Sequence, residues 1–413
     1  MKLSTTYRVA QGDTFDSISR KRYGTEAEAG RIARANPGVS EPLAPGTEVI
    51  VPPLPDAPAD RQNAIPAATL DEAALLIDGQ RFRFWDRMSI TRAIDSMDTV
   101  TFGAPFDHQA PGFRETFRPF SFKPVVIMVG GDPIFTGTMV DVVPSLANDS
   151  KTIAVSAYSR PGVLNDCTPP ASAFPLEFDA ADLRTITDAL VGPFGLAPEF
   201  RADVGGPFER VACSPGKEVL AFLADLAKQR GLVISSTERG KLLFWDEVET
   251  GSPVARLQQG ESPVLSVEPV FAPQQYYSHV TGVEPVVVGL SGAQYTVRNP
   301  RLQGVTRPHS FEARDTLEAD IKGATEAKAG RMFGNVAAYT VRVTTWRDPQ
   351  GELWKPNTTL KLTAPDAMIY NEYEFVIRSV SFEQDPTART ATIELAIPGS
   401  FRGTIPEALP WDG

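Results

Sequence analysis

The N-terminal end of the chain carries two short segments that predict the architecture of its first domain, YRVAQGDTFDSI at residues 7–18 and LAPGTEVIVP at residues 43–52. Tyr7 and Val9 alternate with polar residues, which predicts a short strand, and Gly12 supplies the turn that follows it. The second segment repeats this alternation and predicts a returning strand. The two strands therefore open and close a module of about 50 residues, a size at which the core is small.

The residues between these strands predict two short helices. Asp13 or Thr14 is positioned to cap the first helix, whose apolar side chains share one face. A second helix over residues 25–35 must end before Pro37, because proline disfavours helical backbone in the residue that precedes it. A βααβ module of this size has little interior, so we expect its exposed loops to carry any binding function.

This pattern resembles a LysM module, a family that binds cell-wall glycan. The tripeptides Asn36-Pro37-Gly38 and Pro45-Gly46-Thr47 are also similar to tail protein X, a small protein of contractile-tailed phages. The LysM resemblance implies a groove for a protein partner or a glycan between the loop after the first strand and the loop before the second. Its candidate residues are Gly12, Asp13, Thr14, Phe15, Asn36, Pro37 and Gly38. A purely structural alternative is a turn at Gly12, a helix cap at Asp13 and a helix stop at Asn36.

The composition indicates a folded protein with many turns. The 413 residues are enough for two to four domains, and 36 prolines with 23 phenylalanines favour a β-rich body. The net charge of -11 disfavours a surface that wraps nucleic-acid phosphates or anionic lipid. No apolar run approaches the roughly 18 residues of a membrane-spanning helix, and the N-terminus lacks an apolar secretion segment.

The fold class indicated is multidomain and mainly β, with α+β parts. Proline is frequent between residues 52 and 66, which predicts a stiff connector. After it, alternating residues around the hairpin signal Asp78-Gly79 predict antiparallel strands. The expected domains are a LysM-like module at 1–56, a Pro-rich linker at 57–70, a first β-barrel-like domain at 71–165, an α+β domain at 166–260, a second β-barrel-like domain at 261–402 and a C-terminal tail at 403–413. The second β-barrel-like domain contains a helix at 316–333, and strand exchange between the two barrel-like domains is left open.

The clearest helix signal covers residues 215–230, in the α+β domain. Ser214 is the predicted N-cap, Pro215 suits the first helical position, and Gly231 marks the end. A hairpin over residues 232–246 follows the helix. Helix and hairpin together predict a compact α+β unit.

The order of signals beyond residue 70 resembles the baseplate hub protein of contractile-tailed phages, the Mu-like tail protein D family. Three segments carry the resemblance, at residues 76–95, 214–242 and 345–357, and a final pair of strands ends near Phe401. The resemblance implies a homotrimer whose subunits each supply two barrels to a ring of near sixfold symmetry. Such a ring adapts the sixfold tail tube to the threefold spike.

The same resemblance implies the partners and the location. The partners are further copies of this chain, the tail tube protein, the spike protein and other baseplate proteins, with peptidoglycan as an additional candidate for the LysM-like head. DNA would pass through the lumen without specific binding, which suits an acidic chain because like charges repel. The location implied is the tail baseplate of the virion, after synthesis in the bacterial host cytoplasm.

Trp346 and Trp354 are the candidate packing anchors of the hub. They flank a turn at residues 348–351. Large aromatic side chains in strands are usually core residues, so we expect both indoles to pack in the core or between subunits.

The sequence indicates no catalytic residue, no cofactor and no metal site. Its three histidines lack His-Glu-x-x-His spacing, and Cys167 and Cys213 lack metal-type pairing and a nucleophile-presenting context. Phosphate-loop and Gly-x-Ser-x-Gly motifs are missing too. The alternative function is a LysM-directed peptidoglycan-binding protein or cell-wall hydrolase, because spacing does not select one carboxylate pair for glycan cleavage among 51 acidic residues.

Overall fold

The computed structural model describes residues 5–23, 29–51, 72–147, 151–248, 250–283, 292–302, 304–312, 321–404, 406 and 408–412. The chain divides into two compact units, residues 1–74 with 128–132 and residues 75–127 with 133–413. We call the described residues 5–51 the head and the described residues of the second unit the body. The predicted linker at 57–70 lies outside the described residues.

The head is a βααβ module, as the sequence predicts. Its elements are β1 (Thr5–Arg8), α1 (Phe15–Tyr23), α2 (Ala29–Ala35) and β2 (Glu48–Val51). β1 and β2 are antiparallel, with Tyr7 opposite Val49. Both helices contribute to one small apolar core, in which Ile18 and Ile32 are fully buried.

The next part of the chain is a run of antiparallel strands. Its elements are β3 (Ala73–Ile77), β4 (Gln80–Phe82), β5 (Arg87–Ala93), β6 (Thr99–Pro105), α3 (Phe113–Thr116), β7 (Pro124–Val129), β8 (Asp132–Leu146) and β9 (Lys151–Ser159). The hairpin between β3 and β4 turns at Asp78 and Gly79, which have φ of 52° and 75°. Two successive left-handed residues are what a two-residue hairpin loop requires, so this turn signal is confirmed.

The α+β part follows. Its elements are α4 (Val163–Asp166), β10 (Glu177–Ala181), α5 (Leu183–Val191), β11 (Pro198–Phe200), β12 (Phe208–Ala212), α6 (Val219–Gln229), β13 (Val233–Ser236) and β14 (Leu242–Trp245). β13 and β14 form the predicted hairpin, and β11 joins β14 in parallel. Apolar residues of α5, α6 and this sheet form one buried cluster that includes Leu190, Leu223 and Phe244.

The last part of the chain returns to strands. Its elements are β15 (Arg256–Gln258), β16 (Val264–Phe271), β17 (His279–Val283), β18 (Gln294–Arg298), β19 (Pro308–Glu312), α7 (Ile321–Gly334), β20 (Ala337–Val343), β21 (Thr359–Ala364), β22 (Ile369–Gln384) and β23 (Arg389–Ala396). β17, β18 and β19 form a separate three-stranded sheet. Apolar residues of α7, including Ala329 and Phe333, pack on this sheet against Val280.

One 13-stranded sheet runs through both segments that the sequence predicts as separate barrel-like domains. Its strand order is β16-β20-β23-β22-β5-β6-β9-β8-β7-β3-β4, with β21 on β22 and β15 on β21. The strand that joins the two segments is β22. Its first half pairs with β21, and its second half pairs on the same side with β5, from Ser379 opposite Ala93 to Gln384 opposite Met88. The fold class, multidomain and mainly β with α+β parts, is confirmed.

The predicted helix at 215–230 begins too early and is corrected to Val219–Gln229. Residues 214–218 form a turn instead, in which the Lys217 amide donates to the Ser214 carbonyl at 3.0 Å. Glu218 is extended, with φ of -61° and ψ of 140°, and the Val219 amide donates to Cys167 outside the helix. Ser214 therefore does not cap this helix. The predicted helix at 316–333 is described only from residue 321, where α7 begins.

Candidate functional site

The loop after β1 is held by reciprocal hydrogen bonds at the start of α1. The Ser17 amide donates to Thr14 Oγ1 at 3.1 Å, and the Thr14 amide donates to Ser17 Oγ at 3.0 Å. The Phe15 amide donates to Glu41 Oε1 at 2.5 Å. Of the two residues that the sequence offers as the cap, Thr14 therefore caps α1, and a carboxylate from the opposite loop satisfies a further amide at the same helix end.

Asp13 has a different task from the predicted helix cap. Its Oδ2 accepts hydrogen bonds from the Tyr7 hydroxyl and the Ala10 amide, both at 2.8 Å. Its Oδ1 accepts from Lys21 Nζ at 2.6 Å and from Ser17 Oγ at 3.1 Å. The hydrogen bond from Lys21, followed by that from the Ala10 amide, holds the pKa of Asp13 well below its usual range. This carboxylate fastens β1 to α1.

Asn36 connects α2 to β2. Its Nδ2 donates to the carbonyls of Ile32 and Ile50, and its Oδ1 accepts from the Ile50 amide, each at 2.8 Å. The residue is 7% exposed. All three bonds are to backbone groups, so the Asn36 side chain cross-links α2 to β2 inside the module and is not directed at a ligand.

The candidate groove residues therefore fall into two sets. Asp13, Phe15 and Asn36 are buried and belong to the framework of the head. Gly12, Thr14, Pro37 and Gly38 are exposed. Gly12 has φ of 84° and serves the turn. What the two loops offer to a partner is mostly backbone with small side chains.

Trp346 and Trp354 lie in the interior of the body, each 1% exposed. Trp346 Nε1 donates to the Thr390 carbonyl at 2.8 Å, and Trp354 Nε1 donates to the Thr345 carbonyl at 3.0 Å. The Trp346 ring packs edge-on against Phe382 with a centroid distance of 5.5 Å. Trp346 fastens the connection between β20 and β21 to β23, Trp354 ties that connection to itself, and both indoles lie in the core.

Two buried carboxylates that the sequence analysis missed connect parts of the body. Glu247, 1% exposed, accepts hydrogen bonds from the backbone amides of Gly399, Phe401 and Arg402 at 2.6, 3.0 and 3.2 Å. Burial raises its pKa, and these amides oppose the rise. The contact ties the end of β14 to the chain beyond β23. The sequence offers two hints of this contact: an acidic residue directly after a predicted strand, and the pair Pro398-Gly399 about 150 residues later.

Asp98 is the second of these carboxylates and connects the large sheet to the α+β part. Arg92 Nε lies 3.1 Å from its Oδ2, and the Arg92 guanidinium also reaches Glu238 at 3.3 Å. The Asp98 amide donates to Ser236 Oγ at 3.0 Å. Burial raises the pKa of Asp98 to about 6, against the opposing effect of Arg92. The joint is polar and its central carboxylate is buried, which holds the two parts in one arrangement.

The reactive side chains Cys167, Cys213 and His279 have the following surroundings. Cys213 is buried and burial raises the pKa of its thiol, while Cys167 is half-buried, and both thiols are free. His279 Nδ1 lies 3.0 Å from Ser278 Oγ. Among the described residues, no group of three or more His, Cys, Asp or Glu side chains is close enough to hold a metal ion. No helix in the described part of the chain is long and apolar enough to span a membrane.

Fold and site together define a β-rich multidomain protein with a small βααβ head. Two family models match the chain: Phage Tail Protein X over residues 5–60, and the second domain of the gp44-like baseplate hub protein over residues 161–246. The first match covers the head, and the second covers the α+β part. The expected resemblance to baseplate hub proteins with a tail protein X head is confirmed, whereas the LysM likeness of the head remains an interpretation.

Particular relatives agree with this assignment. The baseplate hub protein gp44 of Escherichia phage Mu is 22% identical over 310 residues, which are 70% of this chain and 78% of that protein. A 43 kDa tail protein of prophage MuSo2 from Shewanella oneidensis has a TM-score of 0.69 at 24% identity, over 80% of this chain and 99% of that one. A tail protein from Neisseria meningitidis MC58 has a TM-score of 0.68 at 17% identity, over 80% of this chain and 98% of that one. These matches support a role as a phage baseplate hub protein.

Proposed function

We propose that this chain is the hub subunit of a contractile tail baseplate, in a phage or a tail-like injection device. Three copies form a ring that adapts the sixfold tail tube to the threefold spike. The observation that carries the proposal is the presence of a tail protein X match and a hub second-domain match in one polypeptide. Such a protein acts by shape and by contacts, so its role requires no catalytic group.

The internal contacts of the body suit a protein that must stay rigid when force acts on it. One continuous sheet, two buried indoles and the joints at Asp98 and Glu247 connect segments that are distant in sequence. Buried polar joints of this kind hold segments in one arrangement, because breaking a joint leaves charged or hydrogen-bonding groups buried without a partner. A ring between a tube and a spike needs this rigidity.

The head is the docking element for neighbouring baseplate proteins. Gly12, Thr14, Pro37 and Gly38 are its exposed candidate contacts, and they project few side-chain groups. The body contacts the tube protein and the spike protein, and DNA passes through the ring without specific binding, in keeping with the net charge of -11. The protein resides in the virion tail baseplate after synthesis in the host cytoplasm.

Two measurements test the proposed function: the mass of the purified chain in solution and its location in isolated particles. We expect the purified full-length chain to sediment as a trimer in analytical ultracentrifugation, and a label on it to appear at the baseplate of isolated particles in electron micrographs. Particles that assemble and infect without this chain would refute the proposal.

A peptidoglycan sedimentation assay tests the role of the head against the alternative of cell-wall binding. The full chain is compared with Gly38→Arg, which places a large side chain on the candidate groove, and with Gly30→Arg as a matched control on α2. A Cβ atom added at either glycine would meet open space, so both variants should fold. We expect little sedimentation for all three proteins. Strong sedimentation that Gly38→Arg abolishes and Gly30→Arg preserves would support the cell-wall alternative instead.

A further inference from the structure

Three strands and a helix form a unit that is inserted into the large sheet. β17, β18, β19 and α7 pack chiefly against one another, around a core that includes Val280, Val297 and Phe333. The chain enters this unit after β16 and leaves it directly before β20, and β16 and β20 are paired neighbours in the large sheet. A group of elements with its own core between two adjacent strands has the arrangement of an inserted domain. We call it the inserted unit.

Two neighbouring segments, at residues 272–278 and 335–336, connect the inserted unit to the large sheet. The Ala272 amide donates to the Val336 carbonyl at 2.8 Å, so the two segments lie side by side. Short segments at the ends of elements are the usual sites at which one part of a protein turns relative to another. We call this pair of segments the hinge.

The chain beyond β23 contacts α7 backbone to backbone. Gly330 of α7 lies so close to the turn at residues 399–404 that a Cβ atom on it would overlap the Gly403 carbonyl. Gly403 has φ of 80°, and a Cβ atom there would overlap the Ala327 carbonyl of α7. Only glycine permits this approach. Three amides of the same turn donate to the buried Glu247, so α7 is fastened to a segment that is itself anchored.

Residues 408–412 contact the strand side of the inserted unit. Arg301 lies in the turn that follows β18, and its Nη1 is 2.5 Å from Asp412 Oδ2. The Leu409 amide donates to the same carboxylate oxygen at 2.7 Å. The Arg301 and Asp412 side chains are 31% and 37% exposed. An ion pair that water reaches contributes little to stability, so this contact opens more readily than the glycine contact.

The same five residues also rest on the large sheet. The Tyr373 hydroxyl of β22 donates to the Ala408 carbonyl at 2.9 Å. The half-buried Trp411 packs edge-on against Phe271 of β16, with a centroid distance of 5.5 Å. Residues 408–412 therefore span the large sheet and the inserted unit.

We propose that the described residues between 397 and 412 form a clamp that fixes the inserted unit on the large sheet. The hinge and the glycine contact hold the unit at two places, and a body held at two places can still rotate about the line that joins them. The outer half of the clamp, residues 408–412, stops this rotation, and its opening lets the strands of the unit swing. The clamp is a property of the single chain, so the inference goes beyond the proposed function and does not depend on the ring.

Distances between two spin labels test the clamp in the full-length chain. The native thiols are replaced by Cys167→Ser and Cys213→Ala. Labels are attached after Gln294→Cys in β18 and Glu268→Cys in β16, both at exposed positions. We expect one narrow distance distribution for this labelled parent, because the clamp holds the inserted unit in one position.

The double variant Asp412→Ala/Trp411→Ala opens the outer half of the clamp. We expect its label distances to spread over a range about twofold wider, and hydrogen exchange of residues 294–302 to become about tenfold faster while α7 keeps its protection. Asp366→Ala/Tyr370→Ala is the matched control. It removes an exposed carboxylate that accepts a hydrogen bond at 2.9 Å and a ring that is 53% exposed, both outside the clamp, and it should match the parent.

Gly330→Ala tests the inner half of the clamp, residues 397–404. The added Cβ atom overlaps the Gly403 carbonyl, so we expect α7 to shift and the mean label distance to change. Gly216→Ala is the control, since a Cβ atom there meets open space. If Gly330→Ala fails to fold, the double variant of the outer half still decides the proposal.

The outcomes of the distance measurement are distinct. A double variant with the narrow distribution of the parent overturns the clamp. A parent with a broad distribution overturns it as well, because the inserted unit would then move with the clamp in place. A spread confined to the clamp variants supports the proposal, whether or not the chain forms trimers.

Discussion

The head and the body are stabilised in different ways. In the head, a few polar side chains connect the elements: Asp13 joins β1 to α1, and Asn36 joins α2 to β2. In the body, a 13-stranded sheet and many buried apolar residues provide most of the connections. A small module has too little apolar surface to rely on packing alone, so single hydrogen-bonding residues matter more there. The difference teaches that a buried polar residue in a small module can be as critical to its fold as a large core side chain is in a larger domain.

The largest effect is expected from Trp346→Ala in the body. Removing a fully buried indole costs about 3–5 kcal/mol of unfolding free energy, because a cavity remains and the Thr390 carbonyl loses its donor. Urea unfolding of the full-length chain, followed by hydrogen exchange of body peptides, measures it. Trp346→Phe is the control, since it keeps most of the volume and should lose less. Equal stability of the alanine variant and the parent would show that packing does not dominate the body.

The next effect is expected from Asn36→Ala in the head. The substitution leaves the Ile50 amide and the carbonyls of Ile32 and Ile50 without their side-chain partner, at about 3 kcal/mol for the set. Hydrogen exchange of the full-length chain should show loss of protection in residues 29–51 and unchanged protection in the body. The exposed Pro37→Ala is the matched control and should change little. Loss of protection throughout the body would contradict the separation of the two units.

The smallest effect is a pH dependence that sharpens the contrast between two buried aspartates. Asp98 has a folded-state pKa raised to about 6, above its unfolded value, so it stabilises the body at low pH and this contribution is lost as pH rises through about 6. The change amounts to about 2 kcal/mol. Asp13 has a lowered pKa, so its contribution to the head is present at neutral pH and lost only in strong acid.

Unfolding of the body measured from pH 4 to pH 8 checks this expectation, with Asp98→Asn as the comparison. The difference in slope between the parent and the variant isolates Asp98 from the other carboxylates. A parent and a variant with parallel curves would mean that Asp98 titrates as in the unfolded chain.

Much of the local structure could be predicted from residue patterns. The βααβ head, the Asp78-Gly79 turn and the β13–β14 hairpin follow from alternation and turn chemistry, which act over a few residues. The start of α6 was mistaken because Ser214 and Pro215 carry a helix-start signature, yet the Cys167 carbonyl captures the Val219 amide from a distant segment. Tertiary contacts override local propensity in this way.

The candidate site was less predictable than the fold. Sequence selected Asp13 and Asn36 as groove residues, and the structure places both in the framework of the head. The joints at Glu247 and Asp98 depend on partners more than a hundred residues away, such as Phe401 and Ser236. Periodicity does not report such contacts, because they arise only when separate segments meet.

The strand β22 also constrains the order of events during synthesis. Thr91 in β5 hydrogen-bonds to Ser381 in β22, a separation of 290 residues. At bacterial translation speeds of roughly 5–20 residues per second, one side of β5 waits about 15–60 s for its neighbour to leave the ribosome. During that interval β5 presents an unpaired, apolar strand edge that other nascent chains can contact. Successful production of this protein therefore depends on protecting a half-finished sheet, and we expect slower translation of its last third to lower the yield of soluble protein.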